Sequence, residues 1–211
     1  MVYQKYPRTF HLPFSPGVGH SDRVQHDYNS YIQGKEIVVT EKMDGECTSI
    51  YTNGIHARSL DYSHHESRSW LKSFHASIKY LIPDNICICG ENVYAKHSIH
   101  YTSLLSYFYG FSIWNSDNYC VDWDMTIEWF QRLGITYPPI LYRGLFSLNV
   151  LVHIATNLDI TQHEGFVVRV TDRFHRDDFN KSVVKWVRLD HVTTDEHWMS
   201  QPLVRNLLLV N

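Results

Sequence analysis

The chain has 211 residues, 44% hydrophobic and 19% charged, with a formal net charge of −3; that is enough for one domain burying roughly 70% of its unfolded surface, and it excludes a disordered tail. No stretch approaches a membrane span, and Met1-Val2-Tyr3-Gln4-Lys5-Tyr6-Pro7-Arg8 lacks the apolar core of an export signal, so a cytoplasmic protein is expected. The acidic balance excludes a surface that grips nucleic acid everywhere but permits a local basic groove, for which the basic residues of 169–176 and 181–188 are candidates.

Residues 1–34, rich in Pro, Gly, His and Asp, read as an extended N-terminal segment with little structure of its own. A strand over 36–41, a second over 47–52, the turn Asn53-Gly54 and a short strand over 55–58 make a hairpin. Trp70, Phe74, Ile78 and Leu81 fall at helical spacing within 66–81, and Pro83 ends that helix. Strands over 86–90 and 107–114 follow, separated by a loop that holds Lys96, His97 and His100. Asp124 is the expected cap of a helix with Ile127, Phe130 and Leu133 on its apolar face, stopped by Gly134. After Pro138-Pro139 come a short strand and a helix near 147–156. Strands over 164–170 and 182–188 complete a domain spanning 35–190, and 191–211 reads as a short tail, helical and packed on the same domain. Strands and helices interleave irregularly, without G-x-G-x-x-G or a Walker loop, which favours an α+β domain with mostly antiparallel sheets over a doubly wound one.

Four cysteines, Cys47, Cys87, Cys89 and Cys120, lack a secreted-framework context and read as reduced, mostly buried thiols. Cys87-x-Cys89 has no second ligand pair to close a zinc site. His64-His65-Glu66 and the group His191, Asp195, Glu196, His197 lack the spacing of metalloenzyme ligands and read as surface or tail features.

Charged residues inside β-like apolar runs are the informative signal, because burying a charge is costly unless it is paired, metal-bound or facing a ligand. Lys42 follows Ile37-Val38-Val39-Thr40-Glu41 and precedes Met43-Asp44-Gly45, while Arg58, Glu91, Glu164, Arg169 and Lys185 lie in or beside four further strand-like runs. A lysine amine attacks phosphorus only when unprotonated, so a reactive Lys42 needs neighbours that tune its pKa and cations that neutralise the phosphate it approaches. Strict alternation puts Val183, Lys185 and Val187 on one face with Arg188 opposite, and sets Arg169 opposite Glu164 unless a bulge intervenes.

Lys42-x-Asp44-Gly45, Arg58, Gly90-Glu91-Asn92, Tyr109-Gly110-Phe111-Ser112-Ile113-Trp114, Glu164-Gly165-Phe166-Val167-Val168-Arg169 and Val184-Lys185-Trp186-Val187 resemble, in order, the motifs of the covalent nucleotidyltransferases. The details are most similar to the ATP-dependent RNA ligase family, in its compact phage and bacterial form. The resemblance implies the nucleotidyltransferase fold, two antiparallel sheets flanking a nucleotide cleft. It implies ATP as substrate, Mg2+ or Mn2+ as cofactor, and RNA carrying a 5′-phosphate and a 3′-hydroxyl as the partner, with an accessory protein as a possible aid to acceptor recognition. Lys42 would form the lysyl-AMP, and Glu41, Asp44, Gly45, Arg58, Glu91, Phe111, Glu164, Arg169 and Lys185 would bind the nucleotide. Phe111 would stack on adenine, Lys185 would contact the α-phosphate, and Glu91 and Glu164 would hold the metal, if need be through water. One departure stands out: Val187 occupies the place where many relatives carry a second lysine. About 23 residues follow Arg188, too few for the OB domain of DNA ligases and capping enzymes, which favours an RNA ligase. Two alternatives stay open, an adenylyltransferase of another acceptor and a non-catalytic RNA-binding module.

Overall fold

The computed structural model describes residues 1–60, 65–189 and 202–210. Its framework is two sheets. The first has the strand order β1 (Phe10–His11), β11 (Val183–Val187), β9 (Gly165–Val170), β2 (Glu36–Glu41), β8 (Ile140–Leu145). The second runs β10 (Phe174–His175), β7 (Tyr119–Cys120), β6 (Phe108–Asn115), β5 (Ile86–Asn92), β3 (Glu46–Tyr51), β4 (Gly54–Ala57). Every pairing between these strands is antiparallel except β1 with β11, so the α+β architecture expected from the sequence is the one observed.

Period-two alternation decides which layer each strand residue joins. On β9, Phe166, Val168 and Val170 pack into a buried cluster with Tyr28 and Ile32 of helix α1 (Tyr28–Ile32) and Leu151 of helix α4 (Leu148–Asn157). On β5, Ile86 and Ile88 join Leu71 and Ile78 of α2 (Ser69–Ile78) and Phe130 and Leu133 of α3 (Trp123–Leu133), while Cys87 and Cys89 turn to the other face. Both sheets therefore have an outer face covered by helices, each fully buried Phe or Leu there contributing about 1.5–3 kcal/mol. Their inner faces are left to enclose something else.

Several boundaries differ from expectation for identifiable reasons. The helix expected over 66–81 opens and closes with 3-10 turns around α2. Asp122, not Asp124, caps α3: its Oδ1 accepts from Met125 N at 2.8 Å, while Asp124 pairs with Arg143 Nη1 at 2.6 Å. The N-terminal segment is more than an extended lead-in. It supplies β1 and α1, and Leu12, Tyr28 and Ile32 are core residues. Of the tail expected to be helical, residues 202–210 run extended, bridging Ala95 with Arg205 and Leu104 with Leu208. Asn206, fully buried, ties that stretch to the segment after β5 by donating to Val93 O and accepting from Tyr101 N. The rest of the tail expectation, and His64, His191, Asp195, Glu196 and His197, lie outside the described residues. No helix among the described residues is long and apolar enough to cross a membrane.

Candidate active site

Between the inner faces lies a cavity of about 300 Å3. One wall is Thr40 and Lys42 at the end of β2, Val167 and Arg169 on β9, and Val183 and Lys185 on β11; the other is Cys47 on β3, Glu91 on β5, and Phe111 and Ser112 on β6. Lys42, Arg58, Glu91, Arg169 and Lys185, which punctuated the apolar runs, thus line one space, and Glu164 joins them through Lys42.

Lys42 is held from behind. Its backbone N–H donates to Gly165 O at 2.9 Å, extending the β2–β9 pairing one residue past the strand. A Cβ on Gly165 would sit 2.0 Å from Trp186 O, so only glycine lets β9 and β11 close at that level. Gly45 is as constrained, since its Cβ would fall 2.4 Å from Asn92 O. Asp44 Oδ2 accepts from Ser98 N (2.7 Å), Ser98 Oγ (2.8 Å) and Ile99 N (2.8 Å), tying the loop after β5 to the turn that carries Lys42. Neither Asp44 nor Gly45 lines the cavity; both shape the turn behind it.

Lys42 Nζ lies 2.6 Å from Glu164 Oε2, and the two side chains are 24% and 7% exposed, so the pair is reachable from one side only. Burial works against the lysine's charge, but the carboxylates of Glu164, Glu91 and Asp44 outweigh it and hold the pKa above the ordinary lysine value. Burial pushes the Glu91 carboxyl up to about 8, with Lys42 opposing. Burial also raises Glu164, again opposed by Lys42. Lys185 goes the other way: burial lowers it, the Lys42 charge adds to that, and Asp22, whose Oδ1 is 4.0 Å from Lys185 Nζ, opposes. The centre is therefore a set of buried charges that compensate one another incompletely.

The remaining expected residues divide. Phe111 lines the cavity because of a β-bulge: Cys89 pairs with Ser112 and Gly90 with Gly110, leaving Phe111 unopposed, so that it and Ser112 point to the same side. Arg58 lines the cavity, and its Nε donates to Tyr6 O at 3.1 Å. Glu41 reaches the rim and meets His163 Nδ1 at 2.9 Å. Arg169 and Glu164 both serve the centre without a bulge in β9, because the strand starts at Gly165 and alternation does not govern Glu164. The Arg169 guanidinium is already committed, to Val121 O at 2.6 Å, Phe111 O at 3.4 Å and the rings of Trp123 and Phe174, so it supports the cavity floor. Val187 is fully buried and Arg188 Nη2 turns to Ser98 Oγ at 3.3 Å, so no second β11 cation enters the cavity. His97 and His100 do not line it either.

Sequence reasoning missed the N-terminal contribution. Tyr6, Arg8 and Asp22 all line the cavity, with the Tyr6 ring edge-on to Phe111 at 5.1 Å. Nothing in the spacing of residues 1–34 signals this, because a parallel bridge through β1 creates it.

The buried Glu164 and the half-buried Glu91 suit a hydrated divalent ion, which needs one or two protein carboxylates and takes its other ligands from water and substrate phosphate. Among the described residues no group of three or more His, Cys, Asp or Glu is placed to hold a metal by itself.

A family model described as RNA ligase matches residues 35–187. No match is found among curated proteins. Among solved structures, a variant of the Naegleria gruberi RNA ligase with ATP and Mn superposes with a TM-score of 0.56 at 14% identity, covering 88% of this chain and 58% of that one. An archaeal ATP-dependent RNA ligase gives 0.59 at 13% identity, covering 88% and 48%. A putative ATP-dependent DNA ligase from Aquifex aeolicus gives 0.56 at 15%, covering 87% and 50%. These likenesses are of fold, the nucleotidyltransferase fold, and the chain spans only about half of each of those proteins.

Proposed function

The chain belongs to the RNA ligase family, and on that premise we propose that it is an ATP-dependent ligase, joining 5′-phosphate and 3′-hydroxyl RNA ends through lysyl-AMP on Lys42 and an adenylylated 5′ end. One observation carries the reading: Lys42 Nζ, 2.6 Å from Glu164 Oε2, opens into a cavity that also presents Glu91, Phe111 and Lys185.

In the resting site Lys42 is an ammonium, held so by its carboxylate neighbours. Glu164, whose basicity burial has raised, is the group placed to take the proton from Nζ. The freed amine attacks the α-phosphorus of ATP; an N–P bond forms, the bond to the bridging oxygen breaks, and pyrophosphate leaves with the electron pair. Lys185, on the same wall of the cavity as Lys42 and 4.0 Å from Asp22, offsets charge on the α-phosphate. Phe111, on the wall opposite Lys42, would offer the adenine a flat face. Glu91 and Glu164 would hold Mg2+ or Mn2+, which supplies further neutralisation of phosphate charge and eases deprotonation of Lys42. AMP then passes to an RNA 5′-phosphate, and a 3′-hydroxyl displaces it to seal the strand. A protein retained in the cytoplasm and an accessory protein for acceptor recognition are compatible with this reading.

The test is incubation with Mg2+ and ATP labelled at the α-phosphate, beside Lys42→Ala. Label that survives denaturation in the wild type and vanishes in the variant supports lysyl-AMP; no label on either, after pyrophosphate has stripped any AMP carried through purification, refutes it. Labelled enzyme that never joins 5′-phosphorylated RNA would assign the AMP to another acceptor.

A further inference from the structure

A second groove, of about 600 Å3, adjoins the cavity and shares Pro7 and Arg8 with it. Its other lining includes Phe10, Arg23, Arg176 and Asp177. Three guanidinium groups face one carboxylate in a chain whose net charge is −3, so the local sign opposes the global one. Asp177 is engaged by His175 Nδ1 at 3.3 Å. Among the described residues, Arg8, Arg23 and Arg176 form no ion pair with any carboxylate.

They are nonetheless positioned. Arg8 Nη1 donates to Ser21 O, Arg176 Nη2 donates to Lys5 O, and the Arg23 guanidinium lies 5.8 Å from the centre of the Phe10 ring. Each guanidinium carries five N–H donors, so a single backbone or ring contact positions it and leaves donors for phosphate oxygens. Like charges gathered on a surface repel one another, a cost that a bound polyanion offsets. Pro7, Arg8, Phe10 and Arg23 lie outside the 35–187 region matched by the family model, so the N-terminal segment supplies one part of this groove and residues 176–180 the other.

We propose that the groove is the track for the phosphate backbone of the 5′-phosphorylated RNA strand, delivering its end past Arg8 to the Lys42 cavity. The inference rests on the ligase reading. The groove is twice the volume of the cavity and continues away from it, which fits a strand better than the triphosphate of a nucleotide already seated beside Lys42.

The experiment is equilibrium binding of a fluorescent 5′-phosphorylated oligoribonucleotide across a series of salt concentrations, without ATP or divalent ions, for the wild type, Arg23→Ala/Arg176→Ala and Arg23→Lys/Arg176→Lys. Each phosphate contact on a single strand contributes about 0.7 to the slope of log affinity against log salt, so the alanine pair should lose about 1.4 from it. The lysine pair keeps the charge and should retain the slope, separating a lost contact from a misfolded protein. ATP affinity is measured on the same proteins. Weaker ATP binding with an unchanged RNA slope would assign the groove to the triphosphate and overturn the proposal, as would an alanine pair unchanged in both. Lysyl-AMP labelling is scored separately, so an unlabelled wild type whose RNA slope still depends on the arginines would sink the ligase reading and leave the groove standing.

Discussion

Replacing Glu91 with glutamine tests the electrostatics of the centre directly. The carboxyl has an ordinary value of 4.5 and is pushed up to about 8, chiefly by burial. The folded metal-free protein therefore holds a proton on Glu91 that the unfolded chain releases above 4.5, and stability falls as pH climbs from 4.5 through about 8. Fully felt, that interval corresponds to about 5 kcal/mol at 1.36 kcal/mol per pH unit. Glu91 is only half-buried and faces a solvent-reachable cavity, and water screening leaves roughly 2 kcal/mol of it. Glu91→Gln keeps the shape and removes the titration. In EDTA, urea unfolding should show the variant gaining on the wild type by roughly 2 kcal/mol, about 1 M in midpoint, between about pH 5 and about pH 9. A stability difference that does not change between those two pH values would refute the burial-driven shift. With Mg2+ and labelled ATP restored, the same variant should lose most of the Lys42 label, because the carboxylate that burial strains is the one proposed to receive the metal.

Arg68→Ala should cost about 3–5 kcal/mol in urea unfolding, since it leaves Glu46, 11% exposed and bonded to Arg68 Nε at 2.8 Å, as a buried charge stripped of its guanidinium. Gly45→Ala should destabilise by about 1–3 kcal/mol and depress labelling of Lys42, because a Cβ 2.4 Å from Asn92 O must push the Lys42 turn off β5; normal labelling and an unchanged midpoint would count against that close approach. Val187→Lys, which restores the second lysine of many relatives, should lower the unfolding midpoint without raising the labelling rate, as Val187 is fully buried. Asp122→Ala should lower stability by about 1 kcal/mol through loss of the α3 cap, whereas Asp124→Ala should leave the cap intact.

The central strands were written in the sequence. Ile86 to Ile88, Phe166 to Val170 and Val183 to Val187 carry their strand character in residue type and period, because pleated backbone sends successive side chains to opposite faces whatever the rest of the chain does. Lys42, Glu91, Glu164 and Lys185 were legible for a related reason, since a charge in an apolar run is costly unless it is paired, metal-bound or facing a ligand, whereas Phe111 was singled out only by the resemblance. Tertiary structure alone decided the rest. Phe111 faces the cavity through a bulge whose extra residue is visible only against β5, and Glu164 escapes the alternation of Arg169 because the strand begins one residue later. Asp44 turned from a nucleotide contact into an anchor for Ser98 and Ile99, a choice set by which backbone amides came within reach. Tyr6, Arg8 and Asp22 entered the site through the pairing of His11 with Lys185, a contact between residues some 170 positions apart that no local pattern encodes. Periodicity records only what each residue's immediate backbone imposes; which distant surfaces meet is fixed when the whole chain buries its apolar area at once, and the N-terminal part of this site exists only at that level.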